Sequence, residues 1–556
     1  MSWTPLPVGI ENFKEMIEKG YYYVDKTLLI QDLMDLKGKV TLFTRPRRFG
    51  KTLNMSMLRY FFERSDEDRR TLFEGTKIME AGEIYKKEMG RYPVISLSFK
   101  SMKQASYEDA FYCIKEEIAR EYKRHSNIAE QLESKQEQKK YQRFMDRNAE
   151  PEEYLTALQF LSECLCSCYE KRTVILIDEY DVPLENSYFC GFYNEMVSFI
   201  RSLFESALKT NDTLEFAVIT GCLRISKESI FTGLNNLNII SILDRSYAEH
   251  FGFTQSEVDQ MLSHYGLEQK RETVKIWYDG YQFGDTEVYN PWSVINYINS
   301  CYKNRNEFCR PYWSNTSSNS IVRTLVEKAD LSVRQEIEAL IAGNTIEKPV
   351  HEDITYDDMD STQDNLWNFL LFTGYLKKVK ERQNGETIYM EMAIPNTEVL
   401  YIYKNTVLRW FEDQIKAKEL LPLYDSILNG ECEKIAEILS ENLMETISFY
   451  DYQESYYHGF LAGMLKNMGN YIVLSNRESG NGRPDILIKH PSVKGKAVII
   501  EIKTAKTYQQ LEEKCREALR QIEDHKYEEI LKQEGYQDIL KYGIAFYKKE
   551  CMVNQI

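Results

Sequence analysis

The first half of the chain alternates short apolar runs with stretches long enough for crossover helices. The runs are Val40-Thr41-Leu42-Phe43-Thr44, Val94-Ile95-Ser96-Leu97, Val174-Ile175-Leu176-Ile177, Phe216-Ala217-Val218-Ile219 and Ile239-Ile240-Ser241-Ile242. All are strand-length and mostly β-branched or aromatic. Apolar strands separated by helical stretches predict a parallel sheet buried on both faces, an α/β fold. At roughly 100–200 residues per domain, a chain of 556 residues is expected to hold several domains.

The pattern then changes. Residues 130–153 are dense in Glu, Gln, Lys and Arg, and read as an exposed helix or flexible insert. From about residue 255 helices alternate with aromatic punctuation. Near residues 377–392, Asn384-Gly385 between two strand-like runs predicts a hairpin. Helices followed by a hairpin suggest a lid or a winged-helix-like module. The last hundred residues return to mixed α/β, with strands expected near 471–474, 485–488, 497–502 and 543–546 and a long helix over 508–525. The expected regions are 1–265, 266–435 and 436–556.

Composition removes several classes. With 26 Phe, 39 Tyr and 6 Trp, there is ample surface to bury, so disorder over the whole length is excluded. A net charge of −16 excludes a uniformly basic nucleic-acid coat, though not a local basic groove. No run of about 18 apolar residues predicts a membrane span, and the first residues do not read as a signal peptide. The eleven cysteines include Cys164, Cys166 and Cys168, which is not a zinc spacing. Free thiols in a reducing cytoplasm are the expectation.

Arg45-Pro46-Arg47-Arg48-Phe49-Gly50-Lys51-Thr52 follows the first strand and opens a helix. Against G-x-x-x-x-G-K-[ST], it keeps the last three positions and has Arg45 in place of the first Gly. Such a loop offers backbone N–H groups to phosphate, a Lys to the β/γ-phosphates and a hydroxyl to Mg²⁺. Arg48, Gly50, Lys51 and Thr52 are its candidate nucleotide contacts. The alternative is a Gly-Lys-Thr turn on a basic surface.

A second motif bears on that choice. The run Val174–Ile177 ends in Asp178-Glu179. An Asp at a strand end can hold the Mg²⁺ shell, and the following Glu can polarise the attacking water. After the next strand comes Thr220-Gly221-Cys222-Leu223-Arg224. Thr220 is a candidate sensor of the γ-phosphate and Arg224 a candidate for stabilising its charge. Pairing of Arg224 with a surface carboxylate stays open.

A different chemistry is written near the carboxyl terminus. Gly482-Arg483-Pro484-Asp485-Ile486 begins a strand, and Glu501-Ile502-Lys503 ends another. Alternation puts Glu501 and Lys503 on one face and Ile502 on the other. If the strands pair, Asp485 and Glu501 can share a hard divalent cation, with Lys503 beside the water. Glu454, at the start of a helical stretch, is a further candidate carboxylate. Gln521 and Tyr527 lie at and just past the end of the long helix. Residues 480–526 carry ten Lys and Arg against seven Asp and Glu, a local excess that suits a phosphate backbone. The alternative is an edge hairpin with a cross-strand Glu–Lys pair. His458 and His490 read as structural.

Together these motifs resemble bacterial AAA-ATPase-like proteins that carry a C-terminal PD-(D/E)XK nuclease domain. The resemblance extends to Tyr23-Val24-Asp25-Lys26-Thr27, Asn290-Pro291-Trp292-Ser293, Leu371-Phe372-Thr373-Gly374-Tyr375-Leu376, Ile394-Pro395-Asn396 and Tyr457-His458-Gly459-Phe460. It implies a P-loop ATPase of the additional-strand type, with the Asp178 strand beside the phosphate-loop strand. It implies ATP at Lys51, Thr52, Asp178 and Glu179, and a Mg²⁺- or Mn²⁺-dependent nuclease at Asp485, Glu501 and Lys503. Glu454 matches the superfamily's helix carboxylate. DNA is the expected substrate ahead of RNA, in defence or mobile-element biology, and the cytoplasm is the expected location. Whether the chain forms a homo-oligomer stays open, as do a non-cleaving nucleotide switch and an ATPase that the nuclease-like fold only anchors to DNA.

Overall fold

A computed structural model describes residues 4–223, 230–231, 235–313, 331–351, 363–406, 420–444, 454–466, 468–475 and 484–556. The described parts of 1–321 and 345–402 form one compact unit, and those of 322–344 and 403–556 form a second.

The first unit is built on a five-stranded parallel sheet of β1 (Val40–Thr44), β2 (Val94–Ser98), β3 (Thr173–Asp178), β4 (Leu214–Gly221) and β5 (Leu237–Ile240). Four of the expected strands fall where the apolar runs lie, while β5 starts two residues earlier than its run. Every residue of β1 and β3 is buried, as a parallel sheet with helices on both faces requires. The strand order is β2-β3-β4-β1-β5. This corrects one expectation: β3, which ends in Asp178, is not beside β1. β4 pairs in parallel with both, Val40 opposite Ala217 and Ile175 opposite Ala217. The intervening β4 is itself the additional strand, and it places the end of β4 between the phosphate loop and Asp178.

The charged stretch 130–153 contains a helix, Lys135–Met145, and it is only partly exposed. Tyr141 and Phe144 are buried against Tyr122 of the helix Tyr107–Arg124, with ring centroids 4.8 and 4.7 Å away. Two aromatic residues four positions or fewer apart suffice to seat a helix whose other faces are charged.

Beyond the sheet the first unit is helical, with a short hairpin of β6 (Tyr281–Phe283) and β7 (Thr286–Val288). A further antiparallel sheet holds β8 (Ile346–Val350), β9 (Lys377–Asn384) and β10 (Thr387–Ala393), in the order β8-β10-β9. The Asn384-Gly385 turn joins β9 to β10 as expected. β8 has no alternation strong enough to announce it, because Pro349 interrupts its five residues.

The second unit holds a mixed sheet ordered β11-β12-β13-β14-β15: Ile472–Ser475, Ile486–Lys489, Ala497–Thr504, Ile539–Tyr547 and Glu550–Gln555. Only β13 and β14 run parallel, and the helix Leu511–Asp524 lies between them in sequence. Ile500 and Ile502 face one core with Leu461 and Leu465 of the helix Glu454–Leu465. Ala497 and Ile499 face the other core with Leu519 and Ile522. β13 is thus covered on both sides, which accounts for its near-continuous apolar run.

Candidate functional sites

The phosphate loop leaves β1 with the Arg45 N–H donating to Gly221 O at 3.0 Å, which prolongs the β1–β4 ladder by one bond. Gly50 sits at φ 83°, the left-handed region that glycine enters freely. It caps the helix Lys51–Phe62 and turns that helix N-terminus onto the loop. Lys51 is buried, and its ammonium donates to Arg45 O at 2.8 Å and Pro46 O at 3.0 Å, with Cys222 Sγ 3.5 Å away. Burial disfavours that charge, but Cys222 and the carboxylates Glu179, Asp181 and Asp178 face it, and the net shift is upward.

The three arginines leave the centre of the loop. Arg45 is fully buried, with Nη1 donating to Thr44 O and Ile240 O and its guanidinium 5.3 and 5.0 Å from the Phe251 and Phe283 rings. Burial lowers its pKa to about 9. Arg47 pairs with Glu185. Arg48, at φ 70°, lies 4.2 Å from the centroid of the Trp292 ring.

Thr52, Asp178 and Thr220 converge. Thr52 Oγ1 donates to Asp178 Oδ2 at 2.8 Å, and Thr220 Oγ1 donates to Asp178 Oδ1 at 2.5 Å. The Glu179 N–H donates to the same Thr220 hydroxyl at 3.3 Å, and Glu179 itself is held at φ 53°. Burial, then the neighbouring Glu179, raise the Asp178 pKa, against the two hydroxyl donors. Such a left-handed residue costs on the order of 1–2 kcal/mol, and the Thr220 contact helps to hold it. Arg224 lies outside the described residues.

The stretch Leu176-Ile177-Asp178-Glu179-Tyr180-Asp181 belongs to the family resemblance, but sequence reasoning gave Asp181 no role. It is buried, and its Oδ2 accepts the N–H groups of Cys222 at 2.7 Å and Leu223 at 3.2 Å. It therefore fixes the turn that carries Thr220. Burial pushes its pKa up to about 6. Its signal was the acidic residue that closes Asp178-Glu179-Tyr180-Asp181.

The residues after 265 also reach this loop. Phe49 is buried against Tyr281 and Phe283, at centroid distances of 4.9 and 5.2 Å. Gly374, at φ 87°, approaches Pro46 so closely that a Cβ would stand 3.0 Å from the proline ring. Asn396 Nδ2 donates to Asp279 O at 2.7 Å. Tyr281, Phe283, Trp292 and Gly374 thus pack against the phosphate loop, a role their sequences did not disclose.

In the second unit β12 and β13 pair antiparallel, with Ile486 opposite Ile500, so Asp485 comes level with Glu501. The Asp485 N–H donates to Glu501 Oε2 at 3.4 Å, and Asp485 Oδ2 accepts the Ile502 N–H at 2.8 Å. Glu501 is buried, and Gln521 donates to its Oε1. Lys503 Nζ lies 3.6 Å from Glu501 Oε1 and 3.8 Å from Glu454 Oε1. Burial and then Asp485 push the Glu501 pKa up to about 7. Burial also raises that of Glu454. His458 Nε2 is 2.9 Å from Asp485 O, which sets the start of β12. Gly482 and Arg483 lie outside the described residues.

The expected trio of metal carboxylates does not close. Among the described residues no group of three or more His, Cys, Asp or Glu is arranged to hold a metal ion. Lys503 stands between Glu501 and Glu454, which directs Glu454 to the lysine. Asp485 and Glu501 remain as two carboxylates level with each other on facing strands.

Comparison with known proteins finds a match in each of the two regions. Residues 7–231 match a family described as predicted AAA-ATPase, and residues 452–556 match the PD-(D/E)XK nuclease superfamily. The chain joins an AAA-ATPase-like region to a PD-(D/E)XK nuclease-superfamily region. The chain is also similar to an uncharacterised protein of the vnfD 5′ region of Azotobacter chroococcum mcd 1, at 29% identity over 321 residues. That match covers 57% of this chain and 55% of the relative, so it spans about half the relative's length. The sheet order of the AAA-ATPase-like region brings Lys51, Thr52, Asp178, Glu179 and Thr220 to one end of the sheet. The nuclease-superfamily region brings Asp485, Glu501 and Lys503 to one face. Among the described residues no helix is long and apolar enough to cross a membrane.

Proposed function

We propose that the chain binds and hydrolyses ATP in the first unit and cleaves nucleic acid, DNA ahead of RNA, in the second. The observation that carries the first half is the double hydrogen bond to Asp178 from Thr52 and Thr220. It sets a hydroxyl and a carboxylate together where a P-loop enzyme places Mg²⁺. Lys51 and the N–H groups of the loop would hold the β/γ-phosphates, with Gly50 beside them, and Arg48 would contact the nucleotide farther from the phosphates. Glu179 would act on the attacking water, Thr220 would report the γ-phosphate, and Arg224 would neutralise charge on it. Bound Mg²⁺ would supply charge neutralisation on the phosphate oxygens.

For cleavage, Asp485 and Glu501 would hold Mg²⁺ or Mn²⁺, which lowers the pKa of bound water. Lys503 would orient that water and offset the phosphate charge. Glu454 would hold Lys503 in place. All eleven cysteines are free thiols, which suits the reducing cytoplasm of a bacterium. The pairing of an ATPase-like with a nuclease-superfamily region supports a proposed role in defence or mobile-element biology. The three-part division at 265/266 and 435/436 belongs to the same proposal.

A second reading is a nucleotide switch that binds DNA without cutting. It is favoured by the Glu501 carboxyl, which is occupied by Gln521 and carries a raised pKa. Incubation of the purified full chain with DNA and RNA, with and without ATP and Mg²⁺, separates the two. Metal-dependent cleavage supports the nuclease, whereas retention without cleavage supports the switch.

A further inference from the structure

The phosphate loop accounts for one end of a cavity of about 270 Å³. Lys51, Thr52 and Glu179 line that end. Charged side chains, Lys100 and Lys103 among them, line part of the remainder, and its apolar part includes Ile10, Tyr22, Phe253, Trp292 and Ile295. These are apolar and aromatic side chains from three distant parts of the sequence: the segment before β1, the segment after β5, and the helix Pro291–Lys303. A wall of this kind holds a flat apolar group, while the loop holds charge.

Trp292 is the largest of these side chains. It is half-buried, and its Nε1–H donates to Tyr312 O at 3.3 Å. Its neighbour Ser293 donates to both oxygens of Glu398, at 3.0 and 2.8 Å. Glu398 is fully buried and also accepts the Trp313 N–H at 2.9 Å. Asn290 caps the same helix by accepting the Ser293 N–H at 3.3 Å. The ring is therefore held by its own N–H, and the backbone that follows it by the contacts of Ser293. The Arg48 guanidinium, 4.2 Å from its centroid, joins it directly to the phosphate loop, and both residues line the cavity.

From this arrangement the geometry points to the Arg48–Trp292 pair as the seat of the nucleobase, in a site for purine nucleoside triphosphates. The inference rests on the proposed P-loop reading and adds the residues that choose the base. The indole and the guanidinium, 4.2 Å apart, line the cavity side by side next to the loop. Stacking on aromatic and guanidinium planes tolerates different bases, and it grows with the area of the ring system. The pair should therefore accept ATP and GTP alike and disfavour the smaller CTP.

The test is calorimetric titration of the full chain with ATP, GTP and CTP, for the parent, Trp292→Phe, Trp292→Leu and Lys51→Ala. The parent should bind both purine nucleotides more tightly than CTP. Trp292→Phe keeps a flat ring and should retain ATP affinity within about threefold. Trp292→Leu keeps an apolar side chain but no ring. It should lose roughly tenfold to a hundredfold in ATP affinity, and with it the preference over CTP. Three results overturn the inference: a parent indifferent between ATP and CTP, a Leu variant that binds ATP as the parent does, or a Phe variant as weak as the Leu variant. The last would mark a packing role alone. ATP binding that Lys51→Ala leaves untouched sinks the P-loop reading itself. Binding that needs Lys51 but ignores the ring at 292 sinks only this inference.

Discussion

The Thr52 hydroxyl donates to Asp178 Oδ2 across 2.8 Å, although their elements follow strands that are not neighbours in the sheet. The contact exists because β4 spaces β1 and β3 apart and lends Thr220 to the other oxygen of the same carboxylate. Thr52 on the helix after β1, Asp178 at the end of β3 and Thr220 near the end of β4 meet here, and Thr52 lines the cavity.

Lys51→Ala should remove ATP binding. The ammonium that curls the loop through Arg45 O and Pro46 O is the charge the phosphates would meet. Hydrogen bonds to charged groups contribute on the order of 1.5–3 kcal/mol, so affinity should fall by at least roughly tenfold. Isothermal titration reads this directly, and an unchanged Kd in a folded variant contradicts it.

Glu179→Gln keeps the shape and removes the base. ATP should still bind, and hydrolysis should slow by roughly a hundredfold or more. Phosphate release measured beside nucleotide affinity separates the two effects. Equal turnover by parent and variant would reassign Glu179 to positioning.

How far this was legible from sequence differs by element. β1 and β3 were readable because both faces of each are buried, so their apolar runs are continuous. Glu501 and Lys503 were readable because strand alternation is strict, and Lys503 Nζ does lie 3.6 Å from Glu501 Oε1. The place of β3 in the sheet was not readable, because strand order depends on which crossover packs where, and the apolar runs are alike. The roles of Asp181, Trp292 and Glu398 were hidden for another reason. Their partners lie 41, 244 and 105 positions away, and no local pattern reports such a distance.

Glu501 should make cation binding depend on pH. Its carboxyl is pushed up to about 7, so below that pH a proton competes with the metal. Mn²⁺ affinity should fall about tenfold per pH unit below 7 and level off above it. With no cation, the raised folded pKa stabilises the fold at acid pH, and this contribution is lost as pH rises through 7. Mg²⁺ should then raise the melting temperature more at pH 8 than at pH 6. Equal effects at both pH values would remove Glu501 from the cation site.

Phe49→Ala tests the mount of the phosphate loop. The ring is buried between Tyr281 and Phe283, and truncating a core Phe costs about 3–5 kcal/mol. Urea denaturation of the full chain should show the transition of the first unit shifted to lower urea. That of the second unit should be unmoved, because Phe49 belongs to the first unit alone. A loss under about 1 kcal/mol would show that residues 281–283 do not support the loop.

The most direct measurement is cleavage of duplex DNA by the full chain in Mg²⁺, run beside Asp485→Ala, Lys503→Ala and Lys51→Ala. The parent should cut. Asp485→Ala should lose cleavage together with Mn²⁺ affinity, Lys503→Ala should lose cleavage while keeping the metal, and both should still bind ATP. Lys51→Ala should keep metal binding at Asp485 and Glu501. No cleavage by the parent under any nucleotide condition, or equal cleavage by parent and Asp485→Ala, would contradict the account.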